Sequence, residues 1–407
     1  MAETRAPSMV RGADRISDLP EGVLHHILSL LPAQDAVRTC VLAQSWRNHW
    51  RSAPAVRFAC STGLAGGVDT FGPFVDGLLR GRRRGSPLDS CDFDLDLDGS
   101  DVPRLELHGN CWIRRVLQLK VRELRFQVSA DPRVPLTLEC RPLSSQHLTS
   151  LVLMGVQGND VVLDFSGCSA LESLWMEECL VSSTEMHSPS LKHLRIKYCF
   201  FYSNFRTRMW FPNLRSFEFI TNFGRAPMLE RMPYLEAAKV RFDHHYDDRC
   251  KNGRLDDCGS AACRGCFNYY GPDDSGSVFL EGLAEATYLN LSAYPDMARK
   301  PLMKTEGSYN PLEKSVAPSH LQIVEIICKD VDGIVIILCV LITTPIRSEK
   351  YQAIDDPCRL LKQPDGKDCQ QVNSSVIISA SPCDRSDRLL CCSALMTAKR
   401  QCPYWCL

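Results

Sequence analysis

Apolar positions near the N-terminus fall on helical spacing. Val23, Leu24, Ile27, Leu28 and Leu31 recur with a 3.6-residue period. They follow Asp18-Leu19-Pro20-Glu21, a helix start in which a proline in the first turn sacrifices no hydrogen bond. Pro32 ends this helix. A second stretch places Ala36, Val37 and Cys40 on one side. A third carries Leu42, Trp46 and Trp50 at a spacing of four, which predicts a single stripe of large side chains. The 45 residues from Asp14 to Phe58 are too few to bury so much apolar surface in three short helices alone. Such a unit calls for a partner.

A different pattern follows. The spacing L-x-x-L-x-L, with other apolar residues allowed, occurs at Val121/Leu124/Phe126, Leu148/Leu151/Leu153, Leu171/Leu174/Met176, Leu191/Leu194/Ile196, Leu214/Phe217/Phe219 and Leu235/Ala238/Val240. Weaker copies sit at Ala286/Leu289/Leu291 and Leu321/Val324/Ile326. Successive intervals of 27, 23, 20, 23, 21, 51 and 35 residues mostly match the period of a leucine-rich repeat, and the long one has room for an insertion. The last two apolar positions of each copy alternate along a short strand and point inward, so stacked copies predict a parallel sheet with helices or loops outside. Between the two modules, 59–120 reads as transitional. It holds a short helix at Phe71 to Leu79, an exposed alternating strand at Asp92 to Asp98, and helical spacing from Trp112 to Lys120.

The first module carries a resemblance. Asp14-Arg15-Ile16-Ser17-Asp18-Leu19-Pro20, then Leu24-His25-His26-Ile27-Leu28-Ser29-Leu30-Leu31-Pro32, then Ala36-Val37-Arg38-Thr39 and Val41-Leu42, closed by Trp46-Arg47-Asn48-His49-Trp50, resembles the plant-type F-box. Ser45 stands where that family usually has a basic residue. With the repeats behind it, the chain is similar to the plant F-box/leucine-rich-repeat (RNI-like) family. The resemblance implies an α/β fold: a small three-helix F-box at 14–58, then a leucine-rich-repeat solenoid at 121–345 with a short-stranded parallel sheet. It also implies a non-catalytic adaptor of a Skp–cullin–F-box type ubiquitin ligase, with a Skp-type adaptor, and through it a cullin scaffold, as partners. Leu19, Pro20, Leu24, Ile27, Leu28, Leu31, Pro32, Val37, Val41, Leu42, Trp46 and Trp50 would form or support the docking surface. The resemblance runs to about Met297, after which a block of the family's pattern is missing. The tail at 348–407, dense in cysteine and without period, is expected to be irregular and disordered.

Recognition is expected on the outward side of the repeat strands, because residues between inward apolar positions point the other way. Those positions read Arg125, Val152, Trp175, Arg195, Glu218, Lys239, Asn290 and Glu325, with Glu177, Lys197 and Arg241 on the same face. A tryptophan beside Arg and Lys on the next strand has the composition of a protein-binding hot spot. Arg125, Trp175, Glu177, Arg195, Lys197, Glu218, Lys239 and Arg241 are therefore the substrate-binding candidates, for a protein substrate of unknown identity.

The chemistry that would make this an enzyme is not visible: the sequence has no P-loop, HExxH, nucleophile elbow or dinucleotide fingerprint, and no cofactor is expected. Asp94-x-Asp96-x-Asp98-Gly99 imitates half a calcium loop, but Leu105 stands where a bidentate Glu belongs. A cysteine-rich insertion at about 244–266 holds Cys263-x-x-Cys266, which with Cys250 and Cys258 could supply four thiolates to zinc. Zinc binding, or a repeat scaffold uncoupled from any ligase, are the competing readings.

Composition changes the picture little. With 44% apolar and 23% charged residues the chain is globular, and a net charge of −1 excludes a generic nucleic-acid binder. The run Arg80, Arg82, Arg83 and Arg84 reads as a solvated loop in preference to an import signal. The longest uncharged apolar run, Gly333 to Thr344, is too short to span a membrane and reads as a strand. Residues 1–10 lack the apolar stretch of a secretory signal. The 21 cysteines are thus expected to be reduced, in the cytosol or nucleus.

Overall fold

A computed structural model of the chain describes residues 19–61, 67–96, 102–129, 136–138, 143–158, 162–202, 205–242, 279 and 281–293, with three short strands beyond, 323–327, 375–379 and 397–398. The chain forms two compact units, residues 1–136 and 137–407.

The first unit opens with helices α1 (Glu21–Leu30) and α2 (Ala33–Arg38) and two 3-10 stretches, Thr39–Val41 and Gln44–Ser52. Pro20 and Pro32 precede the two helices, and their carbonyls accept the first backbone hydrogen bonds from Val23 and Ala36, both at 2.9 Å. Each proline thus starts a helix where it forfeits no donor. Three parallel strands follow, β1 (Ala55–Cys60), β2 (Ser90–Asp96) and β3 (Glu123–Ser129), with α3 (Gly67–Gly81) and α4 (Val102–Gln118) in the crossovers.

The segment read as transitional is therefore built of β-α units, and the strand expected to be exposed is an inner one. Cys91, Phe93 and Leu95 are completely buried. Phe93 stacks on Phe58 at 4.9 Å and on Trp112 at 5.6 Å, and meets Phe126 at 5.3 Å. The Trp112 indole N–H donates to Asp76 at 2.9 Å. Alternating Asp residues disguised this strand, because pleating turns every second side chain to a wetter face. Nor is the arginine run simply solvated. Arg82 is 6% exposed and donates to the Ala53 and Pro87 carbonyls at 2.8 and 3.2 Å. Its burial lowers its pKa from the ordinary arginine value.

The second unit is a parallel solenoid. Its principal strands, Ser150–Met154, Ser173–Glu177, His193–Lys197, Ser216–Ile220, Ala237–Phe242, Tyr288–Ala293 and Ile323–Ile327, pair in the register that the repeat spacing demands. Leu151, Leu174, Leu194, Phe217, Ala238, Leu289 and Val324 form one row, and Leu153, Met176, Ile196, Phe219, Val240, Leu291 and Ile326 the other. Both rows are buried wherever their side chains are described.

The backs of the described coils are short strands. Val156–Gln157, Leu180–Val181, Phe200–Phe201 and Phe223–Gly224 make one ladder; Val162–Asp164, Glu185–His187, Arg208–Trp210 and Met228–Leu229 make another. Segment length decides this. Residues 61–89 and 97–122, 29 and 26 residues long, hold helices of 15 and 17 residues in the first unit. Residues 178–192 and 198–215, 15 and 18 long, must turn three times and return, leaving no room for a helix. The outer helices allowed by the repeat pattern are thus replaced by strands here. In the tail, expected to be wholly irregular, Ser375–Ser379 and Thr397–Ala398 pair antiparallel, the former beside Ile323–Ile327. The rest of the tail, like Gly333 to Thr344, lies outside the described residues.

Four successive coils turn after their principal strands through a residue of positive φ: Gly155 at 66°, Glu178 at 53°, Tyr198 at 52° and Thr221 at 51°. The left-handed conformation costs a non-glycine residue about 1–2 kcal/mol, offset here by N–H donation from Glu178, Tyr198 and Thr221 to Lys197, Ile220 and Arg241 of the next coil. The residue that follows tucks inside the corner: Cys179, Cys199 and Asn222, all buried. Asn222 bridges two coils, accepting from the Cys199 N–H at 2.8 Å and donating to the Ile196 carbonyl at 3.2 Å. Asn222→Ala would leave the buried Cys199 N–H without its partner and remove the amide's bond to the Ile196 carbonyl. We expect a loss of about 1–3 kcal/mol, read as a lower denaturation midpoint of the repeats and faster hydrogen exchange at the Cys199 amide.

Candidate functional site

Two surfaces carry the candidate residues. The first belongs to the N-terminal helices. Leu24, Leu28, Ala36, Trp46 and Ala53 close into a small core, with Leu31 and Ala43 packed against it. Leu24, Leu28 and Trp46, expected to form or support a docking surface, are buried in this core. Leu19, Pro20, Pro32, Val41 and Leu42 are exposed, and Ile27, Leu31, Val37 and Trp50 are half-buried. Val41 and Leu42 keep 82% and 67% of their surface open, an unusual state for adjacent large apolar residues.

The structure adds Val23 and Leu30, also exposed. With Ile27 they form the i, i+4, i+7 stripe of α1 next to the buried pair Leu24 and Leu28. Periodicity had grouped both stripes as one face, because an apolar band on a helix does not reveal which part is covered. The stripe expected from Leu42, Trp46 and Trp50 is not formed. Residues 44–52 wind as a 3-10 helix with three residues per turn, so a spacing of four drifts around the axis. Leu42 points out, Trp46 in, and Trp50 lies half-buried with its indole N–H donating to the Arg47 carbonyl at 3.1 Å.

The second surface is the outward row of the solenoid. Trp175, Arg195, Glu218 and Lys239 are register partners on successive strands, as are Glu177, Lys197 and Arg241 two positions on, in a row with Ile220. Four of them form a cluster. Arg195 and Glu218 make a two-pronged ion pair with both contacts at 2.9 Å, and Lys197 reaches the same carboxylate at 4.0 Å. The guanidinium carbon lies 5.0 Å, and the lysine ammonium 5.8 Å, from the centre of the Trp175 ring. The indole is thus half-covered by two cations that Glu218 holds in place. Its N–H is buried and has no hydrogen-bond partner among the described residues.

Glu177 is half-buried, and Lys239 and Arg241 are exposed. Asn290, at the same strand position, is buried, so the open row narrows there. Arg125 belongs to the first unit, where it donates to Gln127 at 2.9 Å and faces Asp92. Burial raises the Asp92 pKa, and Arg57 and Arg125 oppose the rise.

Of the metal-like patterns, Asp94 and Asp96 lie along β2, a strand and not a calcium loop. Cys250, Cys258, Cys263 and Cys266 lie outside the described residues. Among the described residues one other group of donors converges, Glu21, His25 and His49. Its first two members sit four apart on α1, a spacing legible in the sequence, but only the fold brings His49 to them. The corner residues Cys179, Cys199 and Asn222 were also legible, by extending each copy to the repeat's Asn-or-Cys position three residues after the last apolar one.

The F-box domain family model matches residues 16–56. The chain is 30% identical over 237 residues to the meiotic F-box protein MOF of Oryza sativa subsp. japonica, covering 52% of this chain and 47% of that protein. It is 32% identical over 184 residues to an FBD-associated F-box protein of Arabidopsis thaliana, covering 40% of each. To an F-box/FBD/LRR-repeat protein of the same plant it is 27% identical over 270 residues, 61% of this chain and 56% of that protein. The aligned regions thus span about half the length of these relatives. Among the described residues no helix is long and apolar enough to cross a membrane. The chain thus carries an F-box domain at residues 16–56, followed by leucine-rich coils in parallel register, and is similar over this part to plant F-box/LRR-repeat proteins.

Proposed function

We propose that this chain is a non-catalytic substrate-recognition adaptor of a Skp–cullin–F-box type ubiquitin ligase, acting in the cytosol or nucleus. The observation that carries the reading is the division of apolar residues in the F-box. The core closes on Leu24, Leu28 and Trp46, yet Leu19, Val23, Leu30, Val41 and Leu42 stay exposed. Apolar side chains left in water after the core is complete gain about 25 cal/mol for each Å² a partner covers. The Skp-type adaptor is that partner, and the cullin joins through it. A protein substrate docks on the outward row of the solenoid, where Trp175, Arg195, Lys197 and Glu218 offer an aromatic face framed by placed charges, with Glu177, Lys239 and Arg241 around it. In the first unit, Arg125 is a further candidate by its strand position. The transfer chemistry belongs to other subunits.

Docking and folding are separable on this reading. Val41→Asp with Leu42→Asp, both at exposed sites, should reduce recovery of a Skp-type adaptor in pull-downs at least tenfold and leave the melting temperature unchanged; Leu19→Ala with Pro20→Ala should act in the same direction. Leu28→Ala should instead destabilise the helices by about 2–5 kcal/mol. Full adaptor recovery by the folded Val41/Leu42 double variant would sink the assignment.

The recognition row is tested by comparing interactors of the wild type and of Trp175→Ala and Arg195→Ala by quantitative mass spectrometry. Substrates should be depleted in both variants while the Skp-type adaptor is retained. Glu218→Gln, which frees the two cations without removing them, should give an intermediate loss. Unchanged interactors in all three variants would remove this face from consideration.

A further inference from the structure

The F-box helices bring together three metal-ligating side chains that the docking reading does not use. Glu21 and His25 lie one turn apart on the same face of α1, and His49 enters from the 3-10 stretch. The carboxylate oxygen and the two ring nitrogens all lie within 4.8 Å of one another. His25 Nε2 stands 3.6 Å from Glu21 Oε1, too far for a hydrogen bond. It is, however, close to the edge of a tetrahedron, about 3.3–3.6 Å, defined by zinc with ligand bonds of roughly 2.0–2.2 Å. The His25 and His49 rings are 5.5 Å apart at an interplanar angle of 66°, so they meet edge to face, which leaves their ring nitrogens free to converge.

His25 Nε2 is itself buried and has no hydrogen-bond partner among the described residues. That nitrogen sits beside a carboxylate and a second imidazole, a donor set of the kind that binds zinc.

We propose that Glu21, His25 and His49 form a binding site for a divalent transition metal of the zinc type on the F-box. Two imidazoles and one carboxylate supply three ligands, and water takes the fourth position. The ion ties the first turn of α1 to the 3-10 stretch carrying Trp46, two elements that share the small core but are 14 residues apart at their nearest ends, Leu30 and Gln44. It is a local staple for a domain too small to be sealed by its core alone. The site does not depend on ligase coupling, nor on the cysteine-rich insertion.

The experiment is zinc titration of the metal-stripped, reduced full chain against a chromophoric chelator, comparing the wild type with Glu21→Ala and His49→Leu. Thiolates elsewhere bind zinc equally in all three proteins, so the site is read by difference. The wild type should hold one equivalent more than each variant, or bind its last equivalent about tenfold or more tightly, since losing a ligand weakens a site at least as much as losing an outer-shell support. Glu21 is the safeguard against misfolding: its side chain is 63% exposed and its removal leaves the core intact. As a second reading, the ring-nitrogen NMR signals of His25 and His49 in ¹⁵N-histidine-labelled wild type should shift together at that equivalent. Identical stoichiometry and affinity in wild type and Glu21→Ala, with the two histidine signals unmoved, overturns the proposal.

Discussion

Like must stack on like in a parallel ladder, and the rest of the solenoid follows from that. Once His193–Lys197 pairs in register, Leu194 is held between Leu174 and Phe217, and Ile196 between Met176 and Phe219, at the strand spacing of about 4.8 Å. A polar side chain at these positions would meet apolar neighbours on both sides with no water in reach. The same stacking obliges each coil to turn at the same place, so Glu178, Tyr198 and Thr221 share one positive φ although none is glycine. Corner strain repeats because corner hydrogen bonds repeat. Inside the turn, the Cys179 thiol reaches the Leu153 carbonyl of the coil before it at 3.4 Å, and Asn222 bonds two backbone groups of the coil before it.

Register imposes order on the outer side as well. Trp175, Arg195 and Glu218 are brought side by side by the same pairing that aligns the core rows. Two cations over one indole, both reaching one carboxylate, arise because equivalent positions on adjacent strands are neighbours and those on the same strand face alternate sides. The N-terminal helices obey a looser rule. A core of five buried residues is filled before the apolar residues of the three segments run out. The surplus, Val23, Leu30, Val41 and Leu42, remains exposed on the surface.

Several features were readable in the chain and others were not. The L-x-x-L-x-L copies located every principal strand of the solenoid from Ser150 to Ile327, because a buried row on a strand has a fixed spacing and no substitute. The inner strand β2 was misjudged as exposed: its alternate aspartates report the outward face, and nothing local reports that Phe93 meets three rings brought from 58, 112 and 126. The stripe through Leu42, Trp46 and Trp50 assumed 3.6 residues per turn, and only the packed structure selects the tighter winding. Arg82 looked like part of a solvated run, but the Ala53 and Pro87 carbonyls that hold it come from either side in the chain.

By itself the sequence determined which residues are apolar, at what period they recur, and hence that helices precede a parallel ladder with an inward and an outward side. These are properties of spacing along one strand or one helix, and covalent geometry enforces them. Tertiary structure alone decided which apolar residues remain uncovered, that the coils of the solenoid return through strands, and that His49 comes to rest beside Glu21 and His25. Each of these depends on distances between segments far apart in the chain. No local period encodes them, since they are settled only when the whole set of side chains competes for one interior.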